Sequence, residues 1–495
     1  MADPSQHDST TARAGRLSAG RSRIREAAFA PVDAMPLVWF RIVYGLTLVY
    51  WAQHYLTTVA LEYQYIVPRF HFAWYGFGWV QVLSPNGMRY LFVTIGLLAA
   101  LVTMGLMYRL SSLLVGLAFC YVFLIDQTYY QNHYYLLSMV GLVMPLLPAH
   151  RLGSVDCWIR PALRSPVVPG WSLFLVRFLV GIPYFYGGIA KMNADWLAGQ
   201  PARMMLADDS SHWLYGRWAT EDWLVYGFCW GGMLFDLLIV PALLWRRTRL
   251  LALVAMTLFH LSNASLFTIG VFPWFMIAAT LVFLPAGTFR RLVQRPVVQT
   301  DRYHPVSRSW QSAILVALGL FVAFHMLFPL RHHLYAGNVH WTEHGHYFSW
   351  RMKLRGKKCV LQFQAFDPVS GAKAAVNPKR WLTPFQGNRM ARSPKLVHDF
   401  ARFLKQEYAK QGYPATQIRV ILLVSLNGRK PQLMIDPAVD LGSLPRLWGA
   451  PSFVLPLTEP LRRAAWDEPR GEWIRLLPPQ WRDTVISQSA GDDAP

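Results

Sequence analysis

The chain has 495 residues, of which 54% are hydrophobic and 15% charged, against about 25% charged in an ordinary soluble domain. An aromatic content of 15% excludes a disordered chain, and only four Cys exclude a secreted disulfide scaffold. The formal charge of +21 would suit a binder of polyanions, but long apolar runs do not suit a soluble one, so the composition points to a membrane protein.

Residues 1–30 are polar, carry Arg13, Arg16, Arg21, Arg23 and Arg25, and have no apolar centre. They predict a disordered basic cytoplasmic tail rather than a signal peptide. Nine apolar runs of roughly spanning length follow, near 35–58, 88–108, 110–127, 133–149, 171–190, 223–245, 248–265, 268–286 and 312–330. Several gaps are short, which leaves eight spans or re-entrant pairs as alternatives. Arg109, Arg151, Arg160, Arg164, Arg246, Arg247, Arg249, Arg290, Arg291 and Arg295 fall in alternate connections, while 128–132 and 266–267 carry no Lys or Arg. The positive-inside rule then places the N-terminus inside and the region beyond about 331 outside.

That region changes character. Residues 359–366 read as a strand, 393–411 as an amphipathic helix with Leu396, Phe400, Phe403 and Leu404 along one side, and 418–425 and 431–436 as strands flanking the hairpin signal Asn427-Gly428. The expected fold is an α-helical polytopic membrane bundle of about nine spans over 31–330. A mostly β extracytoplasmic domain over 331–460 and a C-terminal tail over 461–495 complete it.

Ionisable groups inside or at the edge of a span are costly, so they are the first functional candidates. Lys191 ends the fifth run, behind Gly187 and Gly188, which permit close helix approach, and Pro183, which permits a kink. Tyr184 and Arg177 precede it by seven and fourteen residues, on one face of an undistorted helix. A lysine in an apolar pocket can act as a base; a lysine snorkelling to the interface explains the same position. Asn132 and His133 open the fourth run inside a tyrosine-rich belt, and His260 and Asn263 share a face at the end of the seventh. Interfacial placement and interhelical hydrogen bonding are their ordinary readings. Asp236, within the sixth run, is expected to pair with Arg177 or Arg41. On the predicted topology Lys191, His133, His260 and Asn263 converge on one outer layer.

Six His lie between 325 and 346, but His340, Glu343, His344 and His346 match no metal motif, so no metal is expected. Phosphate loops and a G-x-S-x-G elbow are absent, as is any nucleic-acid-binding module.

Five separated stretches carry a specific resemblance. Tyr184-Phe-Tyr-Gly-Gly-Ile-Ala-Lys-Met-Asn-Ala-Asp-Trp196 resembles the signature of vitamin K-dependent gamma-glutamyl carboxylases, which share the HTTM membrane domain. Gln131-Asn-His-Tyr-Tyr135, Phe259-His260 through Asn263 with Leu266–Gly270, Trp341–Trp350, and Asn427 with Ile435–Asp440 resemble further family segments in the same order. The resemblance implies that Lys191 deprotonates vitamin K hydroquinone (or menaquinol). The anion reacts with O2 and becomes an alkoxide base that ends as the epoxide. That base removes the γ-proton of a peptide glutamate, which then adds CO2. It implies His133 and Asn132 as catalytic partners, and Tyr184, His260, Asn263 and Arg177 around the quinol. Trp341, Tyr347, Trp350 and Arg351 would hold the peptide, with Arg331 and Lys353 as further basic attractors. Where animal members often have Lys-Lys, this chain has Ala190-Lys191. The expected setting is a bacterial inner membrane with a periplasmic site, or the ER membrane with a lumenal one. A quinol epoxidase that fixes no CO2, and a non-enzymatic transporter, are the competing readings. Epoxide formation without carboxylation would distinguish the first, and failure to bind quinol the second.

Overall fold

The computed structural model of the protein describes residues 22–208, 211–212, 215–266, 269–292, 306–446, 451–482 and 485. Residues 22–29 form helix α1, where a disordered tail was expected. The rest of that tail lies outside the described residues, as do Arg295 and the end of the chain beyond 485.

Among the described residues, seven helices are long and apolar enough to cross a membrane. They are α2 (Met35–Thr57), α3 (Pro85–Met104), α4 (Tyr108–Ile125), α6 (Gly170–Lys191), α8 (Asp222–Leu244), α9 (Arg249–Leu266) and α11 (Arg308–Leu327). The fourth and eighth expected spans are shorter: α5 (Asn132–Val143) and α10 (Phe272–Thr280). Each passes into a 3-10 turn. Pro145 in the first of these turns lacks the amide that an α-helical ladder needs. The protein is thus a polytopic helical bundle in which two of the nine expected spans are helices below spanning length. Tyr108 at the start of α4 donates to Met144 O just beyond α5 at 2.6 Å, so α4 and α5 run antiparallel.

Helix α6 is the most enclosed and α11 the least. The core joins Tyr44 and Leu48 of α2, Val176 and Leu179 of α6, and Phe275 and Met276 of α10. Strands β1 (Pro31–Asp33) and β2 (Val167–Pro169) pair antiparallel where α2 and α6 begin. Arg41 donates to Ala149 O at 2.9 Å and Gly153 O at 2.6 Å, capping carbonyls at that end of the bundle. It does not pair with Asp236.

At the other end sits an antiparallel sheet of β3 (Lys357–Phe366), β4 (Lys373–Val376), β5 (Gln417–Leu426) and β6 (Gln432–Leu433), in the order β4-β3-β5-β6. Helices α12 (Pro384–Met390) and α13 (Pro394–Lys410) accompany it. Leu396, Phe400 and Leu404 of α13 are buried against Val420, Leu422 and Val424 of β5, and Phe403 lies at their edge. Asn427 and Gly428 have φ of 52° and 76°, so they are the two left-handed residues of the turn after β5. Phe70 and Phe72, from the connection between α2 and α3, complete this core. The opposite sheet face is covered by Trp473 and Leu477, against Ile421 and Leu423. Part of the expected C-terminal tail is therefore packed structure.

Candidate active site

A cavity of about 830 Å³ lies where the membrane helices meet the C-terminal domain. Asn132, His133, Tyr184, Lys191, Asp236, His260 and Asn263 face it from the bundle. Tyr347, Arg351, Lys353, Arg355, Lys357, Arg389 and Arg392 face it from the domain.

Lys191, the last residue of α6, is buried, and its Nζ donates to Asp236 Oδ2 of α8. Two glycines create that contact. A Cβ on Gly187 would stand 2.7 Å from Asp236 Oδ2, and one on Gly188 would stand 3.0 Å from the Leu237 backbone nitrogen. The helices are also staggered: the end of α6 lies beside the middle of α8, with Gly232 opposite the Lys191 side chain. Trp196 closes one side of the lysine, its ring centroid 5.7 Å from Nζ.

Tyr184 sits two turns before Lys191, and its hydroxyl is hydrogen-bonded to His260 Nε2 at 2.5 Å. His260 is 1% exposed and its Nδ1 has no partner, so a buried polar atom borders the cavity unsatisfied. His133 stacks on Phe272 of α10 with centroids 5.2 Å apart. Asn132 accepts from the Tyr130 hydroxyl at 2.9 Å and donates to Arg351 O at 3.4 Å.

The domain side is cationic. Arg351 donates to Nε2 of His340 at 2.9 Å and Nε2 of His332 at 2.6 Å. The other nitrogen of His332 donates to Pro329 O at 3.0 Å, so Nε2 is the acceptor and the ring is neutral. Arg355 bonds His346, and Glu343 holds Arg355 and Lys357 at 2.6 Å each. Burial, then neighbouring Arg355, push the Arg351 guanidinium down to about 10. Burial first, and nearby cations second, hold His340 and His346 well below the ordinary imidazole range. Among the described residues no carboxylate pairs with Arg351, Arg389 or Arg392, and no group of His, Cys, Asp or Glu is arranged to hold a metal. An enclosed excess of cations favours an anionic occupant.

The two histidines carry a pH dependence. They are neutral in the folded protein, whereas the unfolded chain binds protons at both near the ordinary value of about 6.5. Stability therefore rises with pH while the unfolded state holds more protons, and it is lost as pH falls below that value. The melting temperature of the purified protein is expected to fall from about pH 7 to about pH 5, and His346→Gln to flatten that slope.

Three expected site residues lie elsewhere. Arg177 is about 21 Å along α6 from Lys191, at 1.5 Å per residue, and donates to Val282 O at 3.1 Å. Fourteen residues keep the helical face but not the depth. Trp341 is in the core of the C-terminal domain, its Nε1 donating to Leu455 O at 2.8 Å. Trp350 is packed against Tyr135 in the bundle core. They flank the segment that delivers Tyr347 to the cavity, and Arg351 follows Trp350 directly. Asp236, as the partner of Lys191, was missed although its cost inside a span had been noted. Arg355, Lys357, Arg389 and Arg392 had no motif to mark them.

The chain matches the family described as HTTM domain over residues 29–287 and the family described as vitamin K-dependent gamma-carboxylase, lumenal domain, over residues 310–460. The chain belongs to the vitamin K-dependent gamma-carboxylase family. The boundary between the two matches falls just before α11, and the cavity is built from both matched regions of this gamma-carboxylase family member. It is an integral membrane protein with its bundle in the lipid bilayer. No solved structure matches the chain.

Proposed function

We propose that the chain is a vitamin K-dependent gamma-carboxylase. In this reading, O2-dependent epoxidation of vitamin K hydroquinone, or menaquinol, is coupled to carboxylation of a peptide glutamate. The observation that carries the reading is the meeting of Lys191, Asn132, His133, Tyr184 and His260 with a cationic wall in one cavity. The overall reaction balances: hydroquinone, O2, CO2 and the γ C–H of glutamate give epoxide, water and γ-carboxyglutamate.

The residues fit a quinol. Phe235, Phe259 and Phe272 supply apolar wall, and the unpartnered His260 Nδ1 awaits a polar group. The quinol supplies the electrons for O2 and, through that reaction, the strong base. Lys191 takes the phenolic proton, and Asp236 holds the ammonium that results. Tyr184 and His260 hold the ring oxygen. Asn132 and His133 orient the reacting glutamate, and Tyr347 and Arg351 receive the peptide. Burial of the site keeps water from quenching the base.

A lipid-soluble quinol reaches the cavity from the bilayer and the peptide from the aqueous side. In this reading the arginine-rich connections are cytoplasmic and the cavity opens on the periplasmic face of a bacterial inner membrane, or the lumenal face of the ER in a eukaryote.

Purified protein in micelles, given reduced vitamin K, O2, labelled CO2 and a glutamate peptide, should form epoxide and labelled peptide together. Epoxide without label across acidic peptides would select an epoxidase instead, and neither product would overturn the reading.

A further inference from the structure

The chain leaving Lys191 is tied directly to the C-terminal domain. Helix α7 (Ala194–Leu197) follows within three residues. Asn193 caps it, accepting from Trp196 N at 3.0 Å and donating to Ala190 O, on α6, at 2.8 Å. Successive residues of this turn face opposite ways. Trp196 covers Lys191 and donates from Nε1 to Cys229 O of α8 at 2.8 Å. Asp195 faces the domain, where its two oxygens each accept from the Arg429 guanidinium at 2.7 Å.

Asn427 completes the joint. Its side chain donates to Asp195 Oδ2 at 2.8 Å and accepts from Gly356 N at 2.7 Å. Asp195 and Arg429 are buried and Asn427 is 0% exposed. One amide thus links the turn that covers Lys191 to the backbone between Arg351 and Lys357. A bare apolar contact would fasten two domains without the desolvation cost of a buried ion pair. A bidentate pair with a third, bridging side chain fixes one register, because any shift leaves a buried charge unsatisfied.

We propose that Asp195, Asn427 and Arg429 are positioning residues: they transmit docking of the C-terminal domain into the cover over Lys191 and align that lysine with the cationic wall. The consequence for catalysis rests on the reading of Lys191 as the base; the mechanical link does not.

The test is Asn427→Gly in the full chain, in micelles. Glycine keeps the left-handed turn at φ 52° and deletes only the bridging amide. Acetylation by a water-soluble N-hydroxysuccinimide ester, read by mass spectrometry, compares Lys191 with exposed Lys410. The Lys191 to Lys410 labelling ratio should rise by at least about fivefold as the cover opens locally. The maximal epoxidation rate should fall by about tenfold through misalignment, with KM for quinol unchanged. Should Asn427→Gly fail to fold, Arg429→Lys, which keeps the charge but loses the bidentate fork, takes its place with the same expectation. A labelling ratio equal to that of the parent chain in the folded variant overturns the proposal. A parent chain without epoxidation would instead sink the functional reading and leave the labelling result standing.

Discussion

Lys191→Ala is expected to remove epoxide formation and CO2 fixation together, each by about 10²–10⁴-fold, the usual contribution of a positioned base. Both must fall, because carboxylation depends on the base that quinol oxidation generates. Alanine also deletes an ion pair, so a second variant separates chemistry from structure. Lys191→Arg keeps a cation for Asp236 but cannot release its proton, since a guanidinium stays charged where an amine can act as a base. It should fold and remain inactive. Initial rates of both products, measured beside a melting curve, decide the matter. A folded Lys191→Arg protein with parental rates would make the lysine a structural counter-ion and move the base elsewhere.

Asp236→Leu is expected to cost about 3–5 kcal/mol of stability, because it leaves the buried Lys191 ammonium without its partner. Asp236 is 3% exposed and lies in the middle of a spanning helix, against the glycine surface of α6. The double variant Lys191→Met, Asp236→Leu should regain most of that loss, since an apolar pair of similar volume carries no desolvation penalty. It should nevertheless be inactive. Thermal melts of Asp236→Leu, Lys191→Met and the double variant in one detergent supply the cycle. If the double variant is no more stable than Asp236→Leu alone, the ion pair is not what holds these helices together.

Much of the architecture was legible in the residues. The apolar runs located the helices because lipid leaves the backbone few other solutions. The apolar side of α13 and the Asn427-Gly428 turn were readable because each follows from local periodicity or backbone preference. The lengths of α5 and α10 were not, since hydropathy measures apolarity and not where the helical ladder gives way to a tighter turn. The buried Trp473 was missed in a stretch read as tail, because the sheet face that it covers comes from residues about fifty positions earlier.

The candidate site divides along the same line. Lys191, Asn132, His133, Tyr184, His260 and Asn263 could be singled out because a polar group near lipid is costly wherever it sits, and their motifs are contiguous in the chain. Arg177 was drawn in by helical phase, which keeps direction but says nothing of depth. Trp341 and Trp350 were drawn in by motif, which does not distinguish a side chain that touches ligand from one that holds the segment in place. The sequence alone thus determined which helices are made, the convergence of their polar residues on one layer, and the family. Tertiary structure alone decided that Asp236 meets Lys191 and that Arg389 and Arg392 line the same cavity. The physical reason is the stagger of α6 against α8. Two glycines let the helices close at an offset that no one-dimensional pattern records, and that offset brings the end of one span level with the middle of another.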